Sequence, residues 1–528
     1  MLEKRDGLAR ICKLELDSKI ETPTMLDVED LKSLKIDFGK APYILKDIDP
    51  ERFEILKSKE ERLVVATGLK VLSPRRLVEL LLELRESTHK PIYTPALATP
   101  KNLPLLIYLG VDIVDNVLPI MKAYEGIYML ENCEFELESL KTLPCNCEVC
   151  RSNEELDEEL LAIHNTNVLR RQLEIVKEQI RRENLRNFVE AHVKFDPELT
   201  AMLRIADEYY RTFERYFPVF KRSKLLPTSE DSFDRPEVKT FLSRAVKAYR
   251  PKGRVLLILP CSARKPYTLS KSHTRIRSFL SEKLKGVEEI IVSSPLVVPR
   301  VFELTYPAMN YDVPVTGRWS ESEVEFVAGW LRRFVEKGDF ELIVAHVEGG
   351  YRRVVERAGL DVIFTETLEE LARVLDFDKE EFDLRKSIFE HMVRYQFDVE
   401  YYEEVEVKGK YPNLEFLSGE RVARVDMGYG MLDIYAPLAK FLIESGAYTV
   451  RIGDFDPKGT IFAVGVEDAD ERIRPNDIVV FYNDSIFGVG RAIMTGWEMV
   501  ELDRGKALEV KRKFFKSQDR AGGGWKRG

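Results

Sequence analysis

Three thiols and one imidazole, close together in the chain, constrain its fold more than any other sequence feature. They are Cys145, Cys147, Cys150 and His164. Three thiolates and one imidazole complete the tetrahedral ligand set of a structural Zn²⁺ site and leave no position open for water. The spacing therefore predicts a zinc ion that joins the cysteine loop to the segment carrying the histidine. Cys133 and His192 are alternative ligands, and a group of exposed reduced thiols is the competing interpretation.

Composition indicates the class of protein. Of the 528 residues, 44% are hydrophobic and 32% are charged, which is typical of a soluble multidomain protein. No segment approaches the roughly 20 apolar residues of a membrane span, and the charged N-terminus lacks the apolar core of a signal peptide. We therefore expect a cytoplasmic protein without a membrane partner. Few glutamines beside many Glu, Lys and Arg residues are typical of a thermophile.

Hydrophobic patterning predicts α/β structure in the first part of the chain. Strands are expected at Ile44 and at 63–65, 91–93 and 111–114, and helices at 77–84 and 103–109. An amphipathic helical stretch is expected from about 153 to 190. The segment 227–236, rich in Pro, Ser and Asp, has the composition of a linker.

A second α/β unit is predicted from about residue 238. Ser320 and Glu323 have the spacing of a helix capping box. The mixed segment 378–441 is not classified by its pattern. The strands expected in this unit lie at 255–259, 289–293 and 342–347.

The loop after strand 255–259 is the strongest candidate for a catalytic site. Within fourteen residues it carries a thiol, an ammonium, a phenol, a hydroxyl and an imidazole, from Cys261, Lys265, Tyr267, Ser270 and His273. In open α/β sheets ligands bind beyond the carboxyl ends of the strands. Neighbouring positive charge also favours the thiolate form of a cysteine. A buried packing role for Cys261 is the competing interpretation.

The cysteine cluster and the helical residues 163–165 resemble the zinc site of the tRNA-guanine transglycosylases. Residues 110–119 resemble that family's strand with the nucleophilic aspartate, and Asp115 falls on the nucleophile. A closed TIM barrel needs about 250 residues, whereas about 140 precede the cysteine cluster. In addition, 120–121 is Ile-Met where the family has Thr-Arg. The resemblance therefore implies a truncated barrel that docks tRNA and keeps Asp115 as an inherited strand-end residue.

A second resemblance is carried by the loop of Cys261. The pattern Pro-Cys-x3-Lys-Pro-Tyr-x2-Ser-x2-His is met at every position from Pro260 to His273 and resembles the motif of the archaeosine synthase family. The resemblance implies that Pro260 and Pro266 belong to the substrate site, with His346 at the end of a neighbouring strand and Asp115 as a further substrate contact. Further walls of the same pocket are expected at 293–300, 303–307, 314–319 and 348–350.

What this family resemblance implies is a transferase reaction on tRNA. The substrate base is a 7-cyano-7-deazaguanine at position 15 of the D-loop, whose nitrile carbon is an electrophile. Cys261 is then the nucleophile that forms a thioimidate, His273 or Lys265 the proton donor, and Tyr267 and Ser270 positioning groups. The implied amine donor is lysine, or ammonia or a glutamine-derived nitrogen. A radical-SAM partner enzyme and a homodimer are further expectations.

The C-terminal part resembles a PUA domain, a small β-barrel that binds RNA. Two hairpins and a basic final strand carry the resemblance, with β-runs at 460–464, 477–482 and 487–493. The net charge of −9 argues against nucleic-acid binding by the whole chain, but the last residues are strongly basic and offer phosphate contacts. A small β-domain for oligomer contacts is the competing interpretation.

The predicted fold is therefore α/β and multidomain, with a truncated TIM-barrel-like part, a doubly wound part and a β-barrel. The boundaries are 1–225 for the transglycosylase-like domain with its zinc site, 236–375 for the catalytic core, 376–446 for a small mixed domain, 447–520 for the PUA domain and 521–528 for a flexible tail. Two other functions compete with amidine formation. One is exchange of guanine for 7-cyano-7-deazaguanine through Asp115, and the other is non-catalytic tRNA binding.

Overall fold

The computed structural model describes residues 2–15, 19–28, 56–57, 63–315, 318–516 and 525–527. The chain divides into two compact units, Met1–Phe217 and Pro218–Gly528. The α/β content that the pattern predicts is confirmed in both units. The strand predicted at Ile44 lies outside the described residues.

The first unit contains a five-stranded sheet that carries Asp115. Along the sheet the strands are Thr24–Leu26, Ile113–Asp115, Ile92–Tyr93, Val64–Val65 and Leu56–Lys57. All neighbours pair in parallel except the last two. A separate antiparallel sheet is formed by Leu2–Asp6, Ala9–Glu15 and Lys19–Thr22, and a hairpin by Ile127–Met129 and Glu134–Glu136.

Helices surround these strands, and the predicted stretch at 153–190 is two helices. The first ends at Arg181 because Glu183 adopts a left-handed backbone with φ 59°. The second begins after it, where the buried carboxylate of Asp6 accepts from the Leu185 N–H at 2.9 Å. The helices of this unit are Pro74–Ser87, Leu103–Tyr108, Val117–Tyr124, Glu148–Ser152, Glu158–Arg181, Leu185–His192, Pro197–Glu208 and Tyr210–Tyr216.

The second unit is built around a five-stranded sheet with Val255–Pro260 at its centre. Its strand order is Val297–Pro299, Val287–Val292, Val255–Pro260, Leu342–Ala345 and Ile363–Phe364. The strand Val297–Pro299 runs antiparallel to its neighbour, and all other neighbouring strands of this sheet are parallel. The unbroken apolar run at 255–259 suits a strand that is buried on both faces. Leu257 and Leu259 pack with Ile276 and Leu371 from two of the surrounding helices. These helices are Pro236–Ala248, Lys271–Leu280, Glu321–Val335, Gly349–Ala358 and Leu368–Val374.

The capping box predicted at Ser320 and Glu323 is confirmed, since each residue caps the backbone of the other. The linker predicted at 227–236 is instead packed structure. It contains the short 3-10 helix Glu230–Asp234, and the ring of Phe233 stacks on Phe326 with centroids 4.7 Å apart. Pro, Ser and Asp are as common in ordered turns as in linkers, so composition did not separate the two.

Two further sheets complete the second unit. The antiparallel sheet Glu406–Lys408, Glu415–Ser418, Glu420–Asp426 and Met431–Ile434 lies between the helices Leu384–Phe397 and Ala436–Glu444. The C-terminal sheet has the order Thr460–Phe462, Lys506–Lys516, Ile486–Ala492, Ile478–Tyr482, Thr449–Ile452 and Val466–Ala469, with Trp525–Arg527 also on Lys506–Lys516 and the helix Gly496–Glu501 beside it. The predicted β-runs are confirmed. No helix among the described residues is long and apolar enough to span a membrane.

Candidate active site and metal centre

Cys261 directly follows the central strand of the second unit. Its N–H donates to the Val292 carbonyl at 3.0 Å, so the backbone continues the ladder with the neighbouring strand. The thiol therefore sits at the carboxyl edge of the parallel strands, where open α/β sheets bind their ligands. It is half-buried, and its Sγ lies 3.1 Å from the hydroxyl of Tyr351.

The thiol lines a cavity of about 260 Å³. The other lining residues belong to the second unit and are 227–230, 233, 293–295, 313–315, 318–319, 323 and Tyr351. Of the wall predicted from sequence, 293–295 and the described part of 314–319 line this cavity. The segment 303–307 and His346 do not contribute to it. Two carboxylic acids, Glu230 and Glu323, also line the cavity, and sequence reasoning did not place them there.

His273 is buried, and both of its ring nitrogens have partners. Its Nε2–H donates to the Pro260 carbonyl at 3.0 Å, and Nδ1 accepts from Arg300 at 2.9 Å. Burial and the charge of Arg300 lower the pKa of His273 to about 4, so the imidazole is neutral at pH 7. The ring thereby ties the helix that follows the loop to the residue just before Cys261.

Arg300 continues this network with two buried carboxylates. It pairs with Glu289 at 2.6 Å and with Glu303 at 3.0 Å. Burial opposes ionisation of Glu289, but the charges of Arg300 and Arg277 hold its pKa at about 2. Glu303 also accepts from the Thr268 N–H at 3.0 Å within the loop. The loop of Cys261 is therefore fixed to the sheet through charged groups shielded from water.

The other predicted residues of the loop have separate environments. The Lys265 ammonium lies 4.1 Å from the centre of the Tyr311 ring, and burial lowers the pKa of this amine. Tyr267 is buried, and its hydroxyl forms a hydrogen bond with the hydroxyl of Tyr311. Ser270 caps the following helix by accepting from the His273 N–H at 3.2 Å.

Three predicted substrate contacts lie outside the cavity wall. Pro260 ends the central strand, and the carbonyl of Pro266 accepts from the Leu269 N–H at 3.0 Å. His346 follows a neighbouring strand, and its Nδ1 lies 3.1 Å from the hydroxyl of Thr365. They shape the edge of the sheet around the loop.

Tyr351 is the main site residue that sequence reasoning missed. It lies in the first turn of the helix Gly349–Ala358, directly after the Gly349-Gly350 pair. Gly350 has no room for a side chain, because a Cβ there would come within 2.1 Å of the Trp319 ring. A helix that starts after a parallel strand delivers its first residues to the ligand-binding edge of the sheet. That topological rule was the available signal.

Asp115 lies in the first unit at the end of its strand, fully buried. It accepts from the Tyr93 hydroxyl at 2.7 Å and from the backbone N–H groups of Ala96 and Val117 at 3.0 Å. Burial raises the pKa of this carboxyl despite these donors. Its oxygens are thus engaged within the fold.

The structure brings together the four residues predicted to bind metal. The ligand atoms of Cys145, Cys147, Cys150 and His164 all lie within 4.8 Å of one another. His164 Nδ1 is 3.3 Å from the sulfur of Cys150. The alternative ligands Cys133 and His192 are outside this group, and His192 Nε2–H donates to the Lys101 carbonyl at 2.9 Å.

The surroundings of the cluster fit a metal ion. His164 Nε2–H donates to the Met129 carbonyl at 2.9 Å, which leaves Nδ1 to face the three sulfurs. A histidine that binds metal commonly donates its other ring N–H in this way. The Tyr128 ring stacks on the imidazole with centroids 4.0 Å apart. Burial lowers the pKa of His164, which keeps the ring in the neutral form that coordinates metals.

Four family models match the chain in succession. Residues 54–197 match the queuine tRNA-ribosyltransferase family, and 238–374 match a domain of unknown function. Residues 382–443 match a pre-PUA domain, and 457–514 match the PUA domain. The chain therefore has a transglycosylase-like domain and a C-terminal PUA domain.

Several relatives and one solved structure are similar to this chain. The tRNA-guanine(15) transglycosylase of Methanocaldococcus jannaschii is 25% identical and covers 80% of this chain and 65% of its own length. A solved structure of a protein of unknown function is 49% identical, with a TM-score of 0.47, and covers 52% of this chain and 99% of its own. The archaeosine synthase of Haloferax volcanii is 39% identical, covering 78% of this chain and 75% of its own length. The archaeosine synthase subunit alpha of Methanosarcina acetivorans is 38% identical, covering 83% and 77%. Because the two archaeosine synthase relatives are 38–39% identical over more than three quarters of this chain, the chain belongs to the archaeosine synthase family.

Proposed function

We propose that this chain is an archaeosine synthase that acts on tRNA. It adds an amine to the nitrile of 7-cyano-7-deazaguanine at position 15 of the D-loop. The observation that carries this proposal is the thiol of Cys261, at the edge of a parallel sheet and in the wall of a cavity. The names of the relatives, archaeosine synthase and its subunit alpha, support the same reaction.

The chemistry assigned to Cys261 is nucleophilic catalysis. The thiolate adds to the nitrile carbon, and the nitrogen takes up a proton to give a thioimidate. The amine donor then attacks the same carbon, the carbon–sulfur bond breaks, and an amidine remains on the base while the thiolate is restored. Lys265 and His273 are the proton donors predicted from sequence, and Tyr267 and Ser270 position the loop. The partners of His273 support a positioning role for it as well.

The remaining parts of the chain are assigned to tRNA binding. We assign 236–375 to a doubly wound catalytic core and 447–520 to an RNA-binding PUA domain. The region 1–225 is assigned to a truncated barrel that docks tRNA, and 376–446 to a small mixed α/β domain. Asp115, with its oxygens bonded to Tyr93, Ala96 and Val117, fits an inherited structural role better than base exchange.

The cysteine cluster is assigned to a structural zinc site. Cys145, Cys147, Cys150 and His164 would hold the ion, which fastens the cysteine loop to the long helix. Lysine as donor, a radical-SAM partner, a homodimer and a cytoplasmic location remain predictions from the family resemblance.

The test is conversion of the modified nucleoside. The full chain is incubated with tRNA carrying the nitrile base and with lysine, glutamine or ammonium in turn, and the nucleosides are analysed by mass. We expect a mass gain with one donor, and Cys261→Ala should lower the rate by at least a hundredfold. Release of free base would instead identify base exchange. Binding of tRNA without any mass change would identify a non-catalytic binder.

A further inference from the structure

We propose that Tyr351 is a catalytic residue that donates the proton to the nitrile nitrogen as Cys261 adds to the nitrile carbon. This inference rests on the proposed function and adds to it a reacting group. It is carried by the contact between the phenol and the thiol in the wall of one cavity.

The Tyr351 hydroxyl lies close enough to Cys261 to reach the reacting atoms. The Tyr351 hydroxyl is 3.1 Å from the sulfur of Cys261, and both residues line the cavity of about 260 Å³. When sulfur bonds to a nitrile carbon, the nitrogen is separated from the sulfur by that one carbon atom. A donor within hydrogen-bond distance of the sulfur is therefore also within reach of that nitrogen.

Neighbouring aromatic packing holds the Tyr351 ring in place. The ring of Tyr351 meets the Trp319 ring at 67° with centroids 5.1 Å apart. Trp319 in turn covers Gly350, where even a Cβ would come within 2.1 Å of the indole. Because this contact fixes the first turn of the helix, the phenol is held over the thiol before any substrate enters.

The two other candidate proton donors of the loop, His273 and Lys265, have partners outside the cavity. The Nε2–H of His273 donates a hydrogen bond to the Pro260 carbonyl, and its Nδ1 accepts a hydrogen bond from Arg300. Burial and the charge of Arg300 lower its pKa to about 4, so it carries no spare proton at neutral pH. Lys265 lies over the Tyr311 ring at 4.1 Å and does not line the cavity. Tyr351 both lines the cavity and contacts the sulfur.

The protonation state of Tyr351 suits a donor. Burial, and secondarily the neighbouring Cys261, raises the pKa of this phenol above its usual value. The phenol is therefore protonated at pH 7. The anionic nitrogen of the thioimidate that thiolate addition forms is a much stronger base than the phenolate. The proton then moves from oxygen to nitrogen.

The step balances over the full cycle. The sulfur–carbon bond forms, one π-bond of the nitrile breaks, and its electron pair takes the phenol proton. The phenolate then removes a proton from the incoming ammonium, which frees an amine to attack the thioimidate. Departure of the thiolate leaves a protonated amidine, and Tyr351 and Cys261 return to their starting forms.

The first arm of the test uses Tyr351→Phe in the full chain, which removes the hydroxyl and keeps the ring on Trp319. We expect single-turnover conversion of nitrile-bearing tRNA to slow by about a hundredfold or more, with tRNA affinity unchanged. Tyr402→Phe is the matched control, because Tyr402 is 81% exposed and remote from the cavity in sequence and contacts. Conversion by Tyr351→Phe within threefold of wild type would overturn the inference and leave the proposed function standing.

The second arm needs no tRNA. Iodoacetamide alkylation of Cys261 at pH 7, followed by peptide mass analysis, reports the reactivity of the sulfur that Tyr351 contacts. We expect the rate to fall about tenfold in Tyr351→Phe, because the hydroxyl beside the reacting sulfur is lost. An unchanged alkylation rate would contradict the contact itself. A wild-type chain that alkylates normally but never converts nitrile-bearing tRNA would overturn the proposed function and the proton transfer with it.

Discussion

Arg300 connects the loop of Cys261 to the neighbouring strand of the sheet through buried polar contacts. Its guanidinium joins Glu289, Glu303 and His273, all of them buried. A buried charge is tolerated only where partners replace water. Removing one partner from this set therefore costs more than removing an exposed ion pair, and the loss depends on pH.

Glu289→Gln tests this dependence. The folded carboxyl has a pKa of about 2, below its unfolded value near 4.5, because Arg300 and Arg277 outweigh burial. A depressed pKa gives stability above pH 4.5 that is lost as the pH falls towards 2. We expect Glu289→Gln to lower the free energy of unfolding by about 3 kcal/mol at pH 7, with the deficit shrinking below pH 4.5. Unfolding by guanidinium chloride at several pH values measures this difference in the free energy of unfolding.

The control for this variant is Glu282→Gln. Glu282 is 76% exposed and pairs with Lys285 at 2.5 Å. An exposed pair contributes about 1 kcal/mol or less, so this variant should stay close to wild type throughout. A Glu289→Gln deficit that is constant from pH 7 to pH 2.5 would contradict the linkage.

At the residue scale, sequence predicts reactive groups better than it predicts their partners. Cys261 could be singled out because a thiol after a buried parallel strand lies at a known ligand-binding edge. The contact with Tyr351 joins residues 90 positions apart in the chain. Glu289 lies inside an apolar strand, where its pairing with Arg300 depends on the sheet register. Neither contact has a local pattern.

At the scale of elements, the cysteine cluster connects a short loop to a long helix. The segment 145–152, which ends in the short helix Glu148–Ser152, carries three sulfurs, and the helix Glu158–Arg181 carries His164 in its second turn. Cys145 is buried, Cys147 and Cys150 are half-buried, and all three belong to a small apolar cluster with Leu161. Metal coordination would add metal–ligand bonds to this apolar packing.

Zinc content tests this assignment. We expect one zinc ion per full chain by elemental mass analysis, falling close to zero in Cys147→Ser, because three ligands bind far less tightly than four. Cys133→Ser is the matched control and should keep its zinc, since Cys133 is outside the ligand group. Proteolysis within 141–157 should become faster in Cys147→Ser. Full zinc occupancy in that variant would contradict the assignment.

Element boundaries were predictable where local rules act. The capping box at Ser320 is confirmed because it needs only residues three apart. The break after Arg181 was not predicted, since it depends on a left-handed Glu183 and on Asp6, which lies far away in the chain. The segment 227–236 was misread for the same reason, because the stack of Phe233 on Phe326 is a tertiary contact.

At the scale of the whole molecule, the order of the domains agrees with a protein that acts on tRNA. A transglycosylase-like domain precedes the sheet of Cys261, and a PUA domain follows it. The sequence indicated this order because each domain has its own pattern or motif. The sequence did not predict the full cavity beside Cys261, because its walls come from stretches that are far apart in the chain, between 227 and 351.

Trapping the proposed covalent bond between Cys261 and the modified base is the decisive experiment for the proposed function. The full chain is mixed with nitrile-bearing tRNA without any amine and analysed by denaturing gel and intact mass. We predict an adduct of one chain and one tRNA, absent in Cys261→Ala and released when the amine donor is added. An adduct that persists in Cys261→Ala, or conversion by that variant at the wild-type rate, would contradict it.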